Sequence, residues 1–169
     1  MTRFQNLKRV LKHALVPRWL AVRPFTPVLL ADIERAVRDS ELRHDGELRF
    51  TVEGGLDIRP LWHGQTPRQR GEELFASLRV WDTEHNSGVL IYLQMVDRRI
   101  EIIADRGIAR KVAQATWDEI CRKMESAFAA GRFRESSLEA IAAVTVLLAT
   151  HFPPSGKNPD ELPDKPVVL

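Results

Sequence analysis

The sequence predicts a mixed α/β fold with a small mixed β-sheet, in the element order β-α-β-β-α-α after an N-terminal helix. A strand-like segment, an amphipathic helix and a second, almost wholly apolar strand follow one another between residues 46 and 96. A connection that contains a helix is long enough for a right-handed parallel crossover. Only Asp97 and Arg98 separate the apolar strand from the next alternating segment, which requires an antiparallel hairpin. The sheet therefore has three strands, or four if another segment adds an edge.

Length and composition indicate one globular domain. The chain has 169 residues, of which 44% are hydrophobic and 28% charged. Its single cysteine, Cys121, excludes an intramolecular disulfide and favours a reducing compartment. No apolar run reaches the ~18 residues that suggest a membrane span. We therefore expect a cytoplasmic protein.

The net charge of +2 hides a basic leader, residues 1–24, which contains six basic residues and no acidic one. The rest of the chain holds 19 basic and 23 acidic residues, a net charge of −4. The leader can form a basic amphipathic helix, because five apolar residues recur at helical spacing: Phe4, Leu7, Val10, Leu11 and Leu15. Such a helix either docks on its own domain or binds an anionic membrane surface or a partner. Nucleic acid is an unlikely partner, since the body has no second basic patch.

The first elements of the body are a helix and a strand. Thr26 followed by Pro27 is typical of a helix start, and the apolar spacing extends this helix over 27–41. Apolar and polar residues then alternate in GELRFTVE, which predicts a strand with one buried face. The loop after this strand contains Trp62 and His63, which could line a pocket, although we expect Trp62 to pack on the sheet.

A second helix and the hairpin follow. Thr66 and Gln69 form a capping box that opens a helix through about residue 80. GVLIYLQMV is nearly continuous apolar, as expected for a central strand covered on both faces. RIEIIADRG alternates again and completes the hairpin.

The C-terminal half is predicted to be helical. Thr116 and Glu119 resemble another capping box, and this helix should end at Gly131. Ser136 or Ser137 should cap the last, largely buried helix.

A tail, residues 153–169, follows the last helix and contains five of the ten prolines. Pro153 and Pro154 are expected to end the helix, because proline cannot continue it. We expect the tail to lie extended over the surface or to be mobile.

The hairpin predicts that three polar segments meet at one edge of the sheet. A two-residue loop would place Val96 opposite Arg99 and Asp105 opposite Leu90. The first strand, parallel to the second, begins at this same edge. The converging segments are residues 44–47, 82–86 and 105–106.

This edge contains hard oxygen ligands suited to Ca²⁺ or Mg²⁺. The candidate metal ligands are Asp82, Glu84, Asn86 and Asp105. Loops at strand ends are polar in any case, so capping and solvation are the structural alternative for all four residues.

Three further residues are candidates for chemistry at the same edge. His44 and His85 could bind a transition metal or act as general acid and base. Arg106 could bind an anionic substrate such as phosphate, or form a surface ion pair.

The segment from DTEHNSGVLIYL through ADRGI, with HFPP and NPDELPDKPV near the C-terminus, resembles the TPM-domain family. The similarity is to its short bacterial branch without a membrane span. Ser87 replaces an asparagine common in longer members, and ADRGI replaces their Gly-Tyr-Gly turn. The resemblance implies an α/β/α sandwich, with residues 25–152 as the TPM-like domain and a divalent-metal site at the edge of Asp82 and Asp105.

The resemblance also implies two functions and a set of partners. Family members are often labelled acid phosphatases, and some are accessory factors of membrane complexes beside membrane-anchored TPM-domain relatives and a LemA-type protein. Our preferred hypothesis is a non-enzymatic accessory or interaction module in the cytoplasm, with the polar edge as its ligand or metal site. The basic leader fits a position peripheral to the inner face of the membrane. The alternative is a weak metal-assisted phosphomonoesterase, in which the carboxylates hold the ion, a histidine transfers the proton and Arg106 binds phosphate.

Overall fold

Four β-strands form one mixed sheet at the centre of the protein. The structure is a computed structural model that describes residues 3–156 and 161–169. The strand order is β3-β2-β1-β4, with β1 parallel to β2 and β4 and with β2 and β3 antiparallel. The parallel crossover and the hairpin are therefore confirmed. The strands are β1 Leu48–Glu53, β2 Val89–Gln94, β3 Arg99–Ala104 and β4 Val167–Val168.

Helices cover both faces of the sheet, which confirms the predicted α/β sandwich. Helices α3, α7 and α8 pack together, with α3 on β1 and α7 on β3, while α5 packs on β2 and β3. The N-terminal helix α1 packs against α4. The helices are α1 Arg3–Leu15, α2 Arg18–Ala21, α3 Pro27–Glu41, α4 Ile58–Trp62, α5 Pro67–Ser77, α6 Arg106–Ala109, α7 Gln114–Ala129 and α8 Phe133–His151.

The apolar run of β2 is continuous because both of its faces are buried. Ile91 and Leu93 belong to the larger core, which the sheet forms with α3, α7 and α8. Leu90 and Tyr92 point the other way, into a smaller core that includes Leu74 of α5. Every residue of β2 is buried, as expected for a central strand with helices on both sides.

The hairpin register differs from the prediction by two residues. Gln94 pairs with Arg99, so the loop has four residues rather than two. Asp105 consequently lies opposite Gly88 instead of Leu90, and its N–H donates to the Gly88 carbonyl at 2.8 Å. The Gln94 side chain accepts a bond from the Asp97 N–H at 2.8 Å and so closes the wider turn. A two-residue shift leaves each side chain on its predicted face.

One of the two predicted capping boxes is present. The Thr66 hydroxyl accepts from the Gln69 N–H, and the Gln69 side chain accepts from the Thr66 N–H, which confirms the start of α5. The capping box at Thr116 is wrong, since α7 begins at Gln114 without a side-chain cap. The helix therefore begins three residues before Trp117, the first helical residue that a Thr116 cap would give.

The last helix also begins earlier than predicted. It starts at Phe133, so Ser136 and Ser137 lie buried inside α8 and cap nothing. The Phe133 ring lies 4.8 Å from that of Phe128 and 6.1 Å from that of Phe25. This aromatic packing between distant segments orders the first turn of α8, whereas local capping patterns report only neighbouring residues.

The described part of the tail is attached to the sheet. Val167 and Val168 pair with β1 and make it an internal strand. The N–H groups of Glu161 and Leu162 donate to the Glu47 carboxylate at 3.4 and 3.2 Å. Residues 157–160 lie outside the described residues. The tail therefore supplies the fourth strand, which the sequence pattern had left unassigned.

Candidate functional site

The polar edge predicted from the sequence is present. Leu48 of β1 and Ala104 of β3 both pair with Val89, so two strands begin and one ends at the same place. The Ser87 hydroxyl donates to the Asp45 carbonyl at 3.2 Å. The Gly107 N–H donates to the Asn86 carbonyl at 2.9 Å. These bonds tie together the three segments whose convergence the hairpin predicted.

The segment before β2 is an ordered turn. The Thr83 hydroxyl accepts from the Ser87 N–H at 3.0 Å, and the Thr83 carbonyl accepts from the Asn86 N–H at 3.1 Å. Asn86 has a φ of +52°, a left-handed conformation that asparagine tolerates better than most residues. Gly88 follows, and a Cβ added to it would lie 1.9 Å from the Val80 carbonyl oxygen. The polar residues here thus build a tight entry into the central strand.

Two of the four candidate metal ligands accept hydrogen bonds from Arg106, and the other two are exposed to solvent. Asp82 and Glu84 are exposed. The Asn86 Oδ1 accepts from the Arg106 Nε at 3.0 Å, and the Asp105 Oδ1 accepts from the Arg106 N–H at 2.7 Å. Within the described residues, no group of three or more His, Cys, Asp or Glu side chains could hold a metal ion. The four donors would have to rearrange before a cation could bind, and a Ca²⁺ or Mg²⁺ site stays a prediction.

His44 is buried beneath this edge. Its Nε2 lies 3.3 Å from the Ser40 hydroxyl, and its Nδ1 lies 3.0 Å from the Gly46 carbonyl oxygen. Burial lowers the pKa of His44 to about 4, because the imidazolium form loses its hydration. A neutral, fully buried imidazole with both nitrogens engaged is a structural residue in this conformation. His85 is exposed at the surface instead.

An open groove of about 620 Å³ lies beside His85 and contains cationic residues that the sequence analysis missed. Arg110 and Lys111 line it. The Lys111 ammonium donates to the His151 carbonyl at 3.0 Å and lies 4.3 Å from the centroid of the Phe152 ring. The spacing of Arg106 and Arg110, four residues apart, was the available signal.

The leader helix α1 is attached to the domain through its polar side chains. Arg9 donates to the Asp97 carboxylate at 2.8 and 2.6 Å. Lys12 donates to the Val96 carbonyl. The His13 Nδ1 accepts from the Leu56 N–H at 2.9 Å, and its Nε2 lies 3.1 Å from the Asp97 Oδ1. Arg9, Lys12 and His13 therefore bind the domain, while Lys8 is exposed.

The outer side of the leader is apolar. Three leucines four residues apart point to solvent on α1, and Leu15 is 77% exposed. Trp19 of α2 is 70% exposed and Trp62 of α4 is 59% exposed, so the expectation that Trp62 packs on the sheet is wrong. Leu7 and Trp62 line one shallow depression, which joins α1 to α4. We call this surface the leader face: Leu7, Leu11, Leu15, Trp19 and Trp62.

The helical spacing in the sequence did not reveal this orientation. Val10 is the one member of the predicted apolar stripe that is buried among the described side chains, against Leu56 and Leu61. The side chain of Phe4 lies outside the described residues. Periodicity identifies the apolar side of a helix, but ion pairs with Asp97 decide which side faces the domain.

The sheet, its two helical layers and the polar strand edge define a small α/β sandwich domain. The chain belongs to the TPM-domain family, since the TPM domain matches residues 25–147. The fold is similar to the NMR structure of the BA42 protein from the psychrophilic bacterium Bizionia argentinensis, with a TM-score of 0.74 and 27% identity. This similarity covers 85% of the present chain and 94% of BA42. A comparison with curated proteins gave no match.

The family resemblance inferred from the residues is thus confirmed. Among the helices of the described residues, none combines the length and apolar character that crossing a membrane requires.

Proposed function

We propose that the protein is a non-enzymatic accessory module that binds an anionic membrane surface through the leader face. The observation behind this proposal is the orientation of α1. Arg9, Lys12 and His13 bind the domain, whereas the leucines of α1 are presented to solvent. A helix that only stabilised the domain would be expected to bury its leucines, because burying each of these side chains adds about 1.5–3 kcal/mol to the free energy of unfolding.

The composition of the leader face suits a membrane interface. Tryptophan is enriched at the boundary of headgroups and acyl chains, where its amphipathic ring is favoured. The leader residue Arg23 and the α4 residue Arg59 are exposed, and Arg18 is 58% exposed although it pairs with Asp57. Each basic residue near an anionic surface contributes on the order of 1 kcal/mol. Leucines would enter the interface while these cations contact the headgroups.

The phosphatase alternative has less support from the geometry of the polar edge. Of the two candidate histidines, His44 is buried with both ring nitrogens engaged and has no path to a substrate in the groove, so that only exposed His85 could act there. Arg106 is bonded to Asn86. A general acid or base must come within hydrogen-bond reach of the reacting group. The arrangement is better suited to holding the strand edge together than to phosphate hydrolysis.

The proposed partners follow from the same surface. Membrane-anchored TPM-domain relatives or a LemA-type protein would meet the protein beside the membrane on which the leader face rests. The cytoplasmic location, peripheral to the inner face of the membrane, is part of the same proposal.

A charge placed in the leader face should abolish membrane binding. Leu15→Asp is expected to reduce co-sedimentation with phosphatidylglycerol-containing vesicles at least tenfold, because it loses an apolar contact and adds a repelled carboxylate. Leu42→Asp is the matched control, since Leu42 is 78% exposed but lies at the end of α3. Both variants should keep the wild-type thermal unfolding midpoint, because neither side chain is in the core.

Salt and lipid composition complete this test. Raising the salt concentration and replacing the anionic lipid with phosphatidylcholine should each weaken binding by the wild-type protein, since surface charges are screened over a Debye length of about 8 Å at physiological salt. The proposal fails if wild-type protein does not bind anionic vesicles at low salt. It also fails if Leu42→Asp weakens binding as much as Leu15→Asp.

A further inference from the structure

A partly enclosed cavity of about 450 Å³ lies at the opposite edge of the sheet from the polar site. It is bounded by α2, the β2-β3 hairpin and the C-terminal end of α7. Its wall is polar and apolar in about equal parts, and the apolar part consists of half-buried Phe128 from α7 above the buried Leu93 and Ile100 of the strands. Met95 adds a flexible thioether side chain from the hairpin loop. Small-molecule sites have volumes of roughly 300–1,000 Å³ and combine apolar walls with a few polar groups that orient the ligand.

The polar groups of the cavity are concentrated in two arginines and one glutamate. Arg99 lies 3.4 Å from Glu125 across the opening. The other oxygen of Glu125 accepts from the Ile100 N–H at 3.1 Å, so its carboxylate is fixed in place. Arg98 is exposed, and its side chain makes no hydrogen bond or ion pair with any residue that the structure describes. The three side chains together leave one net positive charge at the cavity.

The remaining polar side chain of the cavity is already satisfied. Gln94 donates to the Gly54 carbonyl at 3.0 Å and accepts from the Asp97 N–H at 2.8 Å. It therefore closes the loop rather than offering a site for a neutral polar ligand. Arg98 has a φ of +55°, a conformation in which a residue other than glycine is uncommon. The closed loop holds the Arg98 backbone in this conformation beside the cavity.

We propose that this cavity binds an amphipathic monocarboxylate, such as a medium-chain fatty acid. The acyl chain lies against the half-buried side chains of Met95 and Phe128, and the carboxylate binds the guanidinium groups of Arg98 and Arg99. A planar guanidinium matches a carboxylate in geometry and charge, and such charge-assisted hydrogen bonds are the strong ones. This inference does not rest on membrane binding by the leader face.

Isothermal titration of the full chain with octanoate tests the assignment. Octanoate should bind saturably at one site per chain, and Arg98→Ala should weaken this binding roughly tenfold by removing the charged partner. Arg79→Ala is the matched control, because Arg79 is also exposed, also has a positive φ, at +56°, and does not line the cavity. It removes the same net charge, and octanoate should bind this variant as it binds wild type.

Two further measurements test the position and the chemistry of the site. Ala129→Trp, at an exposed position of α7 that lines the cavity, should block octanoate binding without lowering the thermal unfolding midpoint. Octanol, which has the same chain without the charge, should bind at least several-fold more weakly. The assignment is overturned if octanoate does not saturate, if octanol binds equally well, or if Arg98→Ala and Arg79→Ala have equal effects. Unchanged octanoate affinity in a folded Ala129→Trp variant would also overturn it.

Discussion

Gly88→Ala is expected to lower the free energy of unfolding by at least about 3 kcal/mol, because the new methyl group would enter the backbone of another segment. A Cβ at this position would lie 1.9 Å from the Val80 carbonyl oxygen and 3.0 Å from its carbonyl carbon. Neither atom can move independently of the chain before β2. The Gly88 carbonyl also accepts from the Asp105 N–H, so a shift would disturb the end of β3.

Denaturant unfolding followed by circular dichroism measures this effect. Gly55→Ala is the control, since a Cβ there would meet its nearest neighbours at 3.7 Å, an ordinary contact distance. Gly55 has no positive φ, so the control variant should remain within about 1 kcal/mol of wild type. A Gly88→Ala protein as stable as the Gly55→Ala protein would show that the segment from Val80 to Gly88 can relax.

Local sequence patterns predicted the helices and strands that depend on interactions between nearby residues. The hydroxyl of Thr26 accepts from the Leu29 N–H at the start of α3, and Thr66 begins α5 with its full capping box. The apolar run of β2 was correctly interpreted as a central strand, because burial on both faces removes the need for alternation. The short connection at Asp97 made the antiparallel hairpin unavoidable. These features depend on residues close together in the chain.

Contacts between distant segments explain what the patterns missed. Phe133 starts α8 because rings from two other parts of the chain pack on it. The hairpin register is the exception, since it depends on a local bond from the Asp97 N–H to the Gln94 side chain, which a count of loop residues does not include. Pairing of Val167 with Thr51 gives the tail a strand that its proline content obscured. The packing of Phe25 on Phe133 and the pairing of the tail with β1 have no signature within a short window of sequence.

At the candidate site, too, the position of the segments was predictable from the sequence, whereas the contacts of the side chains were not. Convergence of the three polar segments followed from topology alone and was predicted. The state of each side chain depended on partners that the sequence did not reveal, as in the burial of His44 beside Ser40. Asp97 was read only as a loop residue, yet it is the acidic partner of Arg9 and His13. For a carboxylate at a hairpin tip, the sequence does not show whether the group is solvated or binds another segment.

Asp97→Asn should remove the attachment of the leader helix and lower the free energy of unfolding at neutral pH by about 3 kcal/mol. Burial alone would raise the pKa of Asp97, but hydrogen bonds from His13 and Arg9 more than offset it and lower the pKa to about 2. The side chain of Asp97 is 10% exposed, so solvent screens these interactions little. Asparagine keeps the shape but presents a neutral amide to Arg9.

The pH dependence separates the lost charge from a general packing defect. A carboxyl group with a lowered pKa in the folded state stabilises the protein above its ordinary pKa, 3.8 for Asp97. This stabilisation is lost as the pH falls from about 4 towards 2, where the folded protein also takes up the proton. The difference in stability between wild type and Asp97→Asn should therefore be largest above pH 4 and shrink steadily below it. A packing defect would give a difference that does not change with pH.

Asp57→Asn is the matched control, because Asp57 also pairs with a leader arginine but is 77% exposed. Exposed ion pairs contribute about 0–1 kcal/mol, so this variant should unfold almost as wild type does at every pH. Equal losses in the two variants would contradict the anchoring role of Asp97. If Asp97 is the anchor, its loss detaches the basic side of α1 from the domain, and the apolar side is exposed already. The Asp97→Asn leader should then become more accessible to protease, while the sheet, whose core α1 does not enter, keeps its amide-exchange protection.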